Sequence, residues 1–397
     1  MKQQNWILTI IVFSQFCCIS IWFAGNAVMS NLIIDFELND NALGHLTSVI
    51  QFGFITGTLV FAVFTVADRF SPSKVFFASA LLGALFNVLI IFDGNSFISL
   101  LVLRFLTGFF LAGIYPVGMK IAADYYRKGL GLSMSLLVGA LVLGTAFPHI
   151  LKAFTTDLPW RSVIIITSLL ALLGGVSMVI LVPNGPFRKS SQEFDLSVFM
   201  RVFKNKEFRS AAFGYFGHMW ELYAFWTFVP VMLVTFNMIN PENTLNVPLQ
   251  SFIIIGIGSL ACVLGGYLSV NFGAKKIAFF ALAFSGACCL LSPLIFLLNS
   301  HYILIAFLLF WGMVVIADSP LFSTLVANNV QEEAKGTALT IVNCIGFSIT
   351  ILSIQLLSFL HTHFDNKFIY VSLAIGPILG LMALRGNSKN KHSEVKL

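Results

Sequence analysis

His218 and Glu221 stand three positions apart within Gly214–Pro230, GYFGHMWELYAFWTFVP, a run otherwise apolar enough to sit in a bilayer. At about 100° per residue on a helix, Gly214, His218, Glu221 and Phe225 fall on one face. Ionisable side chains at membrane depth are costly, so they face a cavity or a partner and carry function. An imidazole changes charge in the physiological range, and a carboxylate removed from water can take up and release a proton. The two side chains can therefore bind a solute, carry a coupling proton, or both. The plainer alternative is a His–Glu hydrogen bond that fixes this helix against a neighbour.

Two further constellations offer chemistry. Asp318 lies in Ala317-Asp318-Ser319-Pro320. Pro320 has no N–H for the carbonyl of Ile316, so a helix must kink or open there. The freed carbonyl, the carboxylate and the serine hydroxyl could hold a sodium ion or a substrate amine. The alternative is an aspartate that caps its own broken backbone. Arg104 lies about seven residues into an apolar segment, where a guanidinium suits bidentate recognition of a carboxylate. Lys120 precedes Asp124 by four residues, the spacing of a helical ion pair, and His149 reads as a packing histidine. Tyr115, Trp220, Tyr223, Trp226 and Trp311 could wall a cavity. Gln15, Asn26, Gln51, Asn87, Asn343 and Gln355 could line it or bind helices together.

The elements that must position these groups follow from composition. Hydrophobic residues make up 58% of the 397 positions and charged residues 10%, against roughly 25% charged in soluble domains. A soluble fold has nowhere to put such a surface, so the chain is an all-α integral membrane protein. Continuous apolar runs, without alternation, exclude a barrel. Twelve spans are predicted: 6–30, 43–66, 74–93, 97–122, 129–154, 160–183, 208–238, 249–271, 276–298, 302–327, 335–360 and 367–385. Of the seventeen acidic residues, Glu221 and Asp318 are the two that fall well inside a span. Arginines and lysines gather on the side that carries both chain ends, and Lys152, Arg161 and Lys367 lie opposite. Both termini are therefore expected in the cytoplasm. The first span is too long, and lacks the small-residue site, for a cleaved signal. The six cysteines all fall in apolar segments without metal-site spacing.

The halves repeat one another. Phe13, Phe16 and Ala24 match Phe213, Phe216 and Ala224; Gly108 and Pro116 match Gly312 and Pro320; Lys128, Gly129 and Gly139 match Lys335, Gly336 and Gly346. The offset drifts in one direction, as loop insertions would produce. A six-helix bundle over 1–183, a basic amphipathic linker over 184–207, a second bundle over 208–385 and a tail over 386–397 are predicted. Two six-helix repeats place a substrate site at the midplane between them.

Between spans 2 and 3 the chain reads Ala67, Asp68, Arg69 and then Lys74, and the second copy reads Gly266, Gly273, Lys275 and Lys276. With Arg104, Gly108 and Gly113 in span 4, these residues resemble the major facilitator superfamily over the whole chain. Phe64 and Ser71 stand where that family's loop has glycines. The G-x-x-x-G-P-x-x-G-G pattern of its antiporters is absent from span 5, and span 2 lacks the arginine of nitrate porters. The resemblance implies a cavity lined by spans 1, 4, 7 and 10, a structural or proton-linked role for Arg104, and a gating latch at Asp68 and Arg69, with Glu332, Glu333 and Lys335 as its counterpart.

Secondary active transport of a small polar, charged organic solute by alternating access is the resulting expectation, with uptake coupled to protons and sodium as the lesser choice. Solute- or ion-binding is assigned to His218, Glu221, Asp318, Arg104, Tyr115, Trp220, Trp311 and Asn343, and Glu221 is expected to carry the proton. Export by antiport on the same fold and a transport-dead solute sensor are the alternatives. No nucleophile–base pair, metal cluster or Gly-rich phosphate loop is present in the sequence, so neither an enzyme nor an ATP-driven pump is expected. Beyond the solute and the bilayer no partner is expected: no nucleic acid, no cofactor, and a monomer in a bacterial-type inner membrane.

Overall fold

The computed structural model describes residues 2–39, 41–126, 130–155, 158–188, 197–331 and 334–385. Lys128, Gly129, Glu332, Glu333 and the tail over 386–397 lie outside them. The chain is a multi-pass bundle of twelve spans in two sets of six. A polypeptide in hydrocarbon must satisfy its own backbone, and helices do so within one segment. Among the described residues ten helical segments are long and apolar enough to cross a membrane, and the first and last spans include the shorter apolar stretches Trp6–Ile19 and Ile369–Arg385.

Four spans are interrupted. Span 1 runs Lys2–Ile19, breaks over residues 20–23, and resumes in short helices Ala24–Ala27 and Met29–Asp35. Span 4 is Phe97–Leu111 and Tyr115–Tyr125, span 8 is Val247–Gly256 and Gly258–Phe272, and span 10 is His301–Val314 and Ser319–Asn328. Pro116 and Pro320 each stand at the start of the second piece of their span, where a missing N–H costs nothing. The break in span 1 is a departure from the continuous helix predicted over 6–30, and no proline marks it. Span 7, Lys206–Ile239, stays continuous through Pro230. In the linker a short helix, Ser197–Val202, buries Val198 and Val202.

Lipid provides no hydrophobic drive between helices, so close backbone approach matters. Gly217 of span 7 and Gly376 of span 12 each lie against the other's carbonyl oxygen, leaving no room for a Cβ. Spans 2 with 4, 3 with 6, 1 with 6 and 7 with 12 pack within their own sets. Across the sets, span 2 packs on span 11 and span 5 on span 8. These two contacts exchange under the sequence repeat, as expected if the sets are related by a two-fold axis.

Candidate functional site

His218 and Glu221 share span 7 but do not share partners. Three residues at about 100° leave them about 60° apart around the helix and about 4.5 Å apart along it, enough to reach different neighbours. Glu221 turns to spans 9 and 10. Its Oε1 accepts from the indole Nε1 of Trp311 at 2.6 Å and from Cys289 Sγ at 3.3 Å, and its Oε2 accepts from Ser285 Oγ at 2.8 Å. The carboxylate is buried, and three donors from two helices hold it. Trp311 thus serves as a donor to Glu221 and not as a bare wall.

His218 instead meets the break in span 10. Its Nδ1 lies 2.8 Å from Asp318 Oδ1, with both side chains 1% exposed. Phe322 and Tyr215 flank the imidazole, with ring centroids 6.2 and 6.0 Å away. Asp318 stands at the N-terminus of Ser319–Asn328 without capping it through its side chain. Its carboxylate points to span 7, so the self-capping alternative is not the one realised. Both Asp318 oxygens and His218 Nε2 are buried and have no hydrogen-bond partner among the described residues, so the 2.8 Å approach is an ion-pair contact without hydrogen-bond alignment.

Arg104 lies on the other side of the molecule's pseudo-symmetry and pairs with no carboxylate among the described residues. It is 2% exposed. Its Nη1 donates to Ile21 O at 3.2 Å and lies 3.5 Å from Asn87 Oδ1, and its Nη2 donates to Trp22 O. The two carbonyls belong to the break in span 1, which the guanidinium splints. Asn87 Nδ2 in turn donates to Ser168 Oγ at 2.9 Å, extending the network into span 6.

Other residues singled out by sequence are more dispersed. Trp220 Nε1 donates to Ser372 O of span 12 at 3.2 Å, which turns it toward its own half. Tyr115 and Asn343 are half-buried. Lys120 does not pair with Asp124, one helical turn away, as the spacing predicted. Its Nζ lies 2.6 Å from Asp68 Oδ1 in the loop after span 2, which is the better partner because the carboxylate lies at the aqueous end. Arg69 Nε donates to Thr65 Oγ1 at 3.1 Å. The side-chain pairings of Asp68 and Arg69 therefore stay within the first set, while Arg188 of the linker donates to the Asp68 carbonyl at 2.8 Å. His149 is buried with Nε2 unpartnered among the described residues.

Between the two sets lies an aromatic group of which sequence singled out only Tyr223 and Trp226. Trp22 packs on Phe54, Tyr223 and Phe347 with centroids 4.8, 5.7 and 5.8 Å away. Tyr223 also meets Trp226 at 5.2 Å, and Phe23 reaches Trp226 at 6.3 Å. Spans 1, 2, 7 and 11 all contribute. On the side away from the termini, Gln355 Nε2 of span 11 donates to Ser48 Oγ of span 2 at 2.8 Å. Trp22 was legible only as one aromatic among many, since nothing local marks the break that presents it.

Fold and site together define a helical membrane protein with paired six-span sets, a polar cluster buried in the second set and an aromatic seam between the sets. A sequence model of the Major Facilitator Superfamily matches residues 11–354, and the chain belongs to that family of transporters. Solved structures with the same fold include a bacterial homologue of the human lysosomal transporter Spinster in an inward-facing, unoccupied conformation, at 14% identity, covering 96% of this chain and 97% of that one, with a TM-score of 0.71. The nucleoside transporter NupG is similar at 14% identity, with 96% and 98% covered and a TM-score of 0.71. The proton:xylose symporter XylE, bound to 6-bromo-6-deoxy-D-glucose, is similar at 13% identity, with 96% and 95% covered and a TM-score of 0.74. No curated relative matches the chain by sequence.

Proposed function

We propose that this transporter takes up a small polar organic solute with protons, and that the His218–Asp318 pair is the group that exchanges the proton. The observation that carries the reading is the unequal satisfaction of the two buried carboxylates. Glu221 accepts from three donors, and a carboxylate so held is a structural anchor. Asp318 meets one imidazole and keeps Oδ2 unpartnered, as His218 keeps Nε2. A buried pair with spare capacity on both members can gain or lose a proton, or meet a solute, without dismantling its surroundings. Its place at the break of span 10 adds a second advantage, because a broken span can change its angle when that pair changes charge. The proton role assigned to Glu221 from sequence passes by this reasoning to its neighbours.

Alternating access then needs the seam between spans 2 and 11 to open as the opposite end closes, with both chain ends taken as cytoplasmic from the distribution of basic residues. The proton:xylose coupling named for XylE fits this reading of drive. The testing experiment uses the purified chain in liposomes, with an imposed pH gradient and a panel of labelled polar metabolites. Gradient-driven accumulation that a protonophore collapses is expected for at least one solute. Accumulation driven by sodium alone would move the coupling to sodium at the Asp318 break. Saturable binding with no accumulation under either gradient would overturn transport in favour of a sensor.

A further inference from the structure

The aromatic seam is satisfied on its faces and not on its edges. Trp22 is completely buried, stacked against Phe347 with an interplanar angle of 23° and tilted against Tyr223 at 31°. Trp226 is also completely buried and packs on the same Tyr223 ring. Yet neither indole N–H has an acceptor among the described residues. Gln51 adds to the deficit. It lies on span 2 three residues from Ser48, which faces span 11, and three from Phe54, which packs on Trp22. Its side chain is fully buried, and both amide atoms lack partners among the described residues.

An unpartnered buried polar group costs about 1–3 kcal/mol, so several in one seam need a reason. The first set's buried cation supplies none, because Arg104 is engaged by Ile21, Trp22 and Asn87. What the seam lacks is hydrogen-bond partners, chiefly acceptors for the two indoles and the Gln51 amide, and not apolar contact. A flat ring slipped between Trp22 and its neighbours would return the stacking it displaces, since aromatic faces exchange one partner for another at little cost. If the ring also carries acceptors on its edge, it adds hydrogen bonds that the closed seam does not have. An anion is disfavoured: Lys120 is occupied by Asp68, and Asp318 faces His218, which stands eight residues, or about 12 Å along the helix, from Trp226.

We propose that the solute is a neutral heteroaromatic ring with edge acceptors, bound at the seam with Trp22 and Trp226 donating through their indole N–H groups and Gln51 reading the opposite edge. The proposal rests on the transport reading above for its biological setting but not for its test, because binding at equilibrium needs no gradient.

The test is equilibrium dialysis of the detergent-purified chain against labelled nicotinamide and uracil as neutral rings, benzoate as an aromatic anion, and D-glucose as a polyol without an aromatic face. Saturable binding of a neutral ring below about 10 mM, and none of benzoate or glucose, is expected. Trp22→Phe and Trp226→Phe keep the rings and remove the donors, and each should weaken binding about ten-fold. Trp6→Phe, at the exposed start of span 1, should leave it unchanged, and a size-exclusion profile matching the parent shows that each variant is folded. No neutral ring bound, equal or tighter binding of benzoate or glucose, or unchanged affinity in both folded donor variants would each overturn the proposal. Binding that follows the expected pattern without gradient-driven accumulation would instead refute transport and leave the ligand class standing.

Discussion

Arg104 in the first half and the His218–Asp318 pair in the second both stand at a break in a membrane-spanning helix. In the first half the guanidinium gives its donors to the broken backbone itself, at Ile21 and Trp22, and to Asn87. In the second half the Ile316 carbonyl that Pro320 cannot serve accepts from Ser319 N–H at 3.1 Å and from Cys262 Sγ at 3.6 Å, and the buried charges face one another across spans 7 and 10. A cation bonded to carbonyls is fixed, because it has no proton to lose and no partner to change. An imidazole–carboxylate pair with an open atom on each side can change state. On the function proposed above, the first half is a rigid frame for the aromatic seam and the second half carries the switch.

Breaking the switch has the largest expected effect. With one pH unit imposed and one proton moved per solute, the parent should hold about ten-fold more solute inside than outside. Asp318→Asn should reduce that ratio to about one while solute exchange across the membrane persists. Accumulation at the parent level in this variant would remove the proton from span 10.

Breaking the frame comes next. Arg104→Met strands two buried carbonyls, each worth about 1–3 kcal/mol, and thermal unfolding in detergent should move clearly downward. Arg104→Lys, with fewer donors in a different geometry, should recover only part of the loss. An unchanged unfolding temperature in Arg104→Met would show that the splint is not structural.

Glu221→Gln separates anchor from switch. Exchanging one acceptor for a donor against Ser285, Cys289 and Trp311 should cost about 1–3 kcal/mol of stability. Gradient-driven accumulation per folded molecule should survive.

The smallest effect is expected at the seam's far end. Ser48→Ala removes the hydrogen bond from Gln355, worth about 1 kcal/mol, and should shift the balance between open and closed seam by roughly five-fold. Cysteine accessibility on the two sides of the membrane, measured at introduced exposed positions, reads that shift.

How far sequence reached follows the same division. The spans were legible because apolar length at low charge has one solution in a bilayer. The break in span 10 was legible at Pro320, since the missing N–H is a local property, whereas Pro116 was read only as its repeat match and the break in span 4 was not predicted. The break in span 1 was not, because its support comes from Arg104, 83 positions from Ile21. Glu221 was visible as a costly charge, but its donors Ser285 and Trp311 lie 64 and 90 positions away. Single sequence separates such partners completely, and His218 and Glu221 looked like one unit only because they are close along the chain. Ser285 and Cys289, four apart on span 9, were the available hint that a polar face there meets something buried.

The most direct measurement compares proton movement in two variants within one assay. Solute added to liposomes carrying the protein, weakly buffered and without an imposed gradient, should make the outer medium more alkaline as protons enter with it. Glu221→Gln should retain this signal per folded molecule and Asp318→Asn should lose it. Loss in Glu221→Gln with retention in Asp318→Asn would contradict the assignment to Asp318 and return the proton to Glu221.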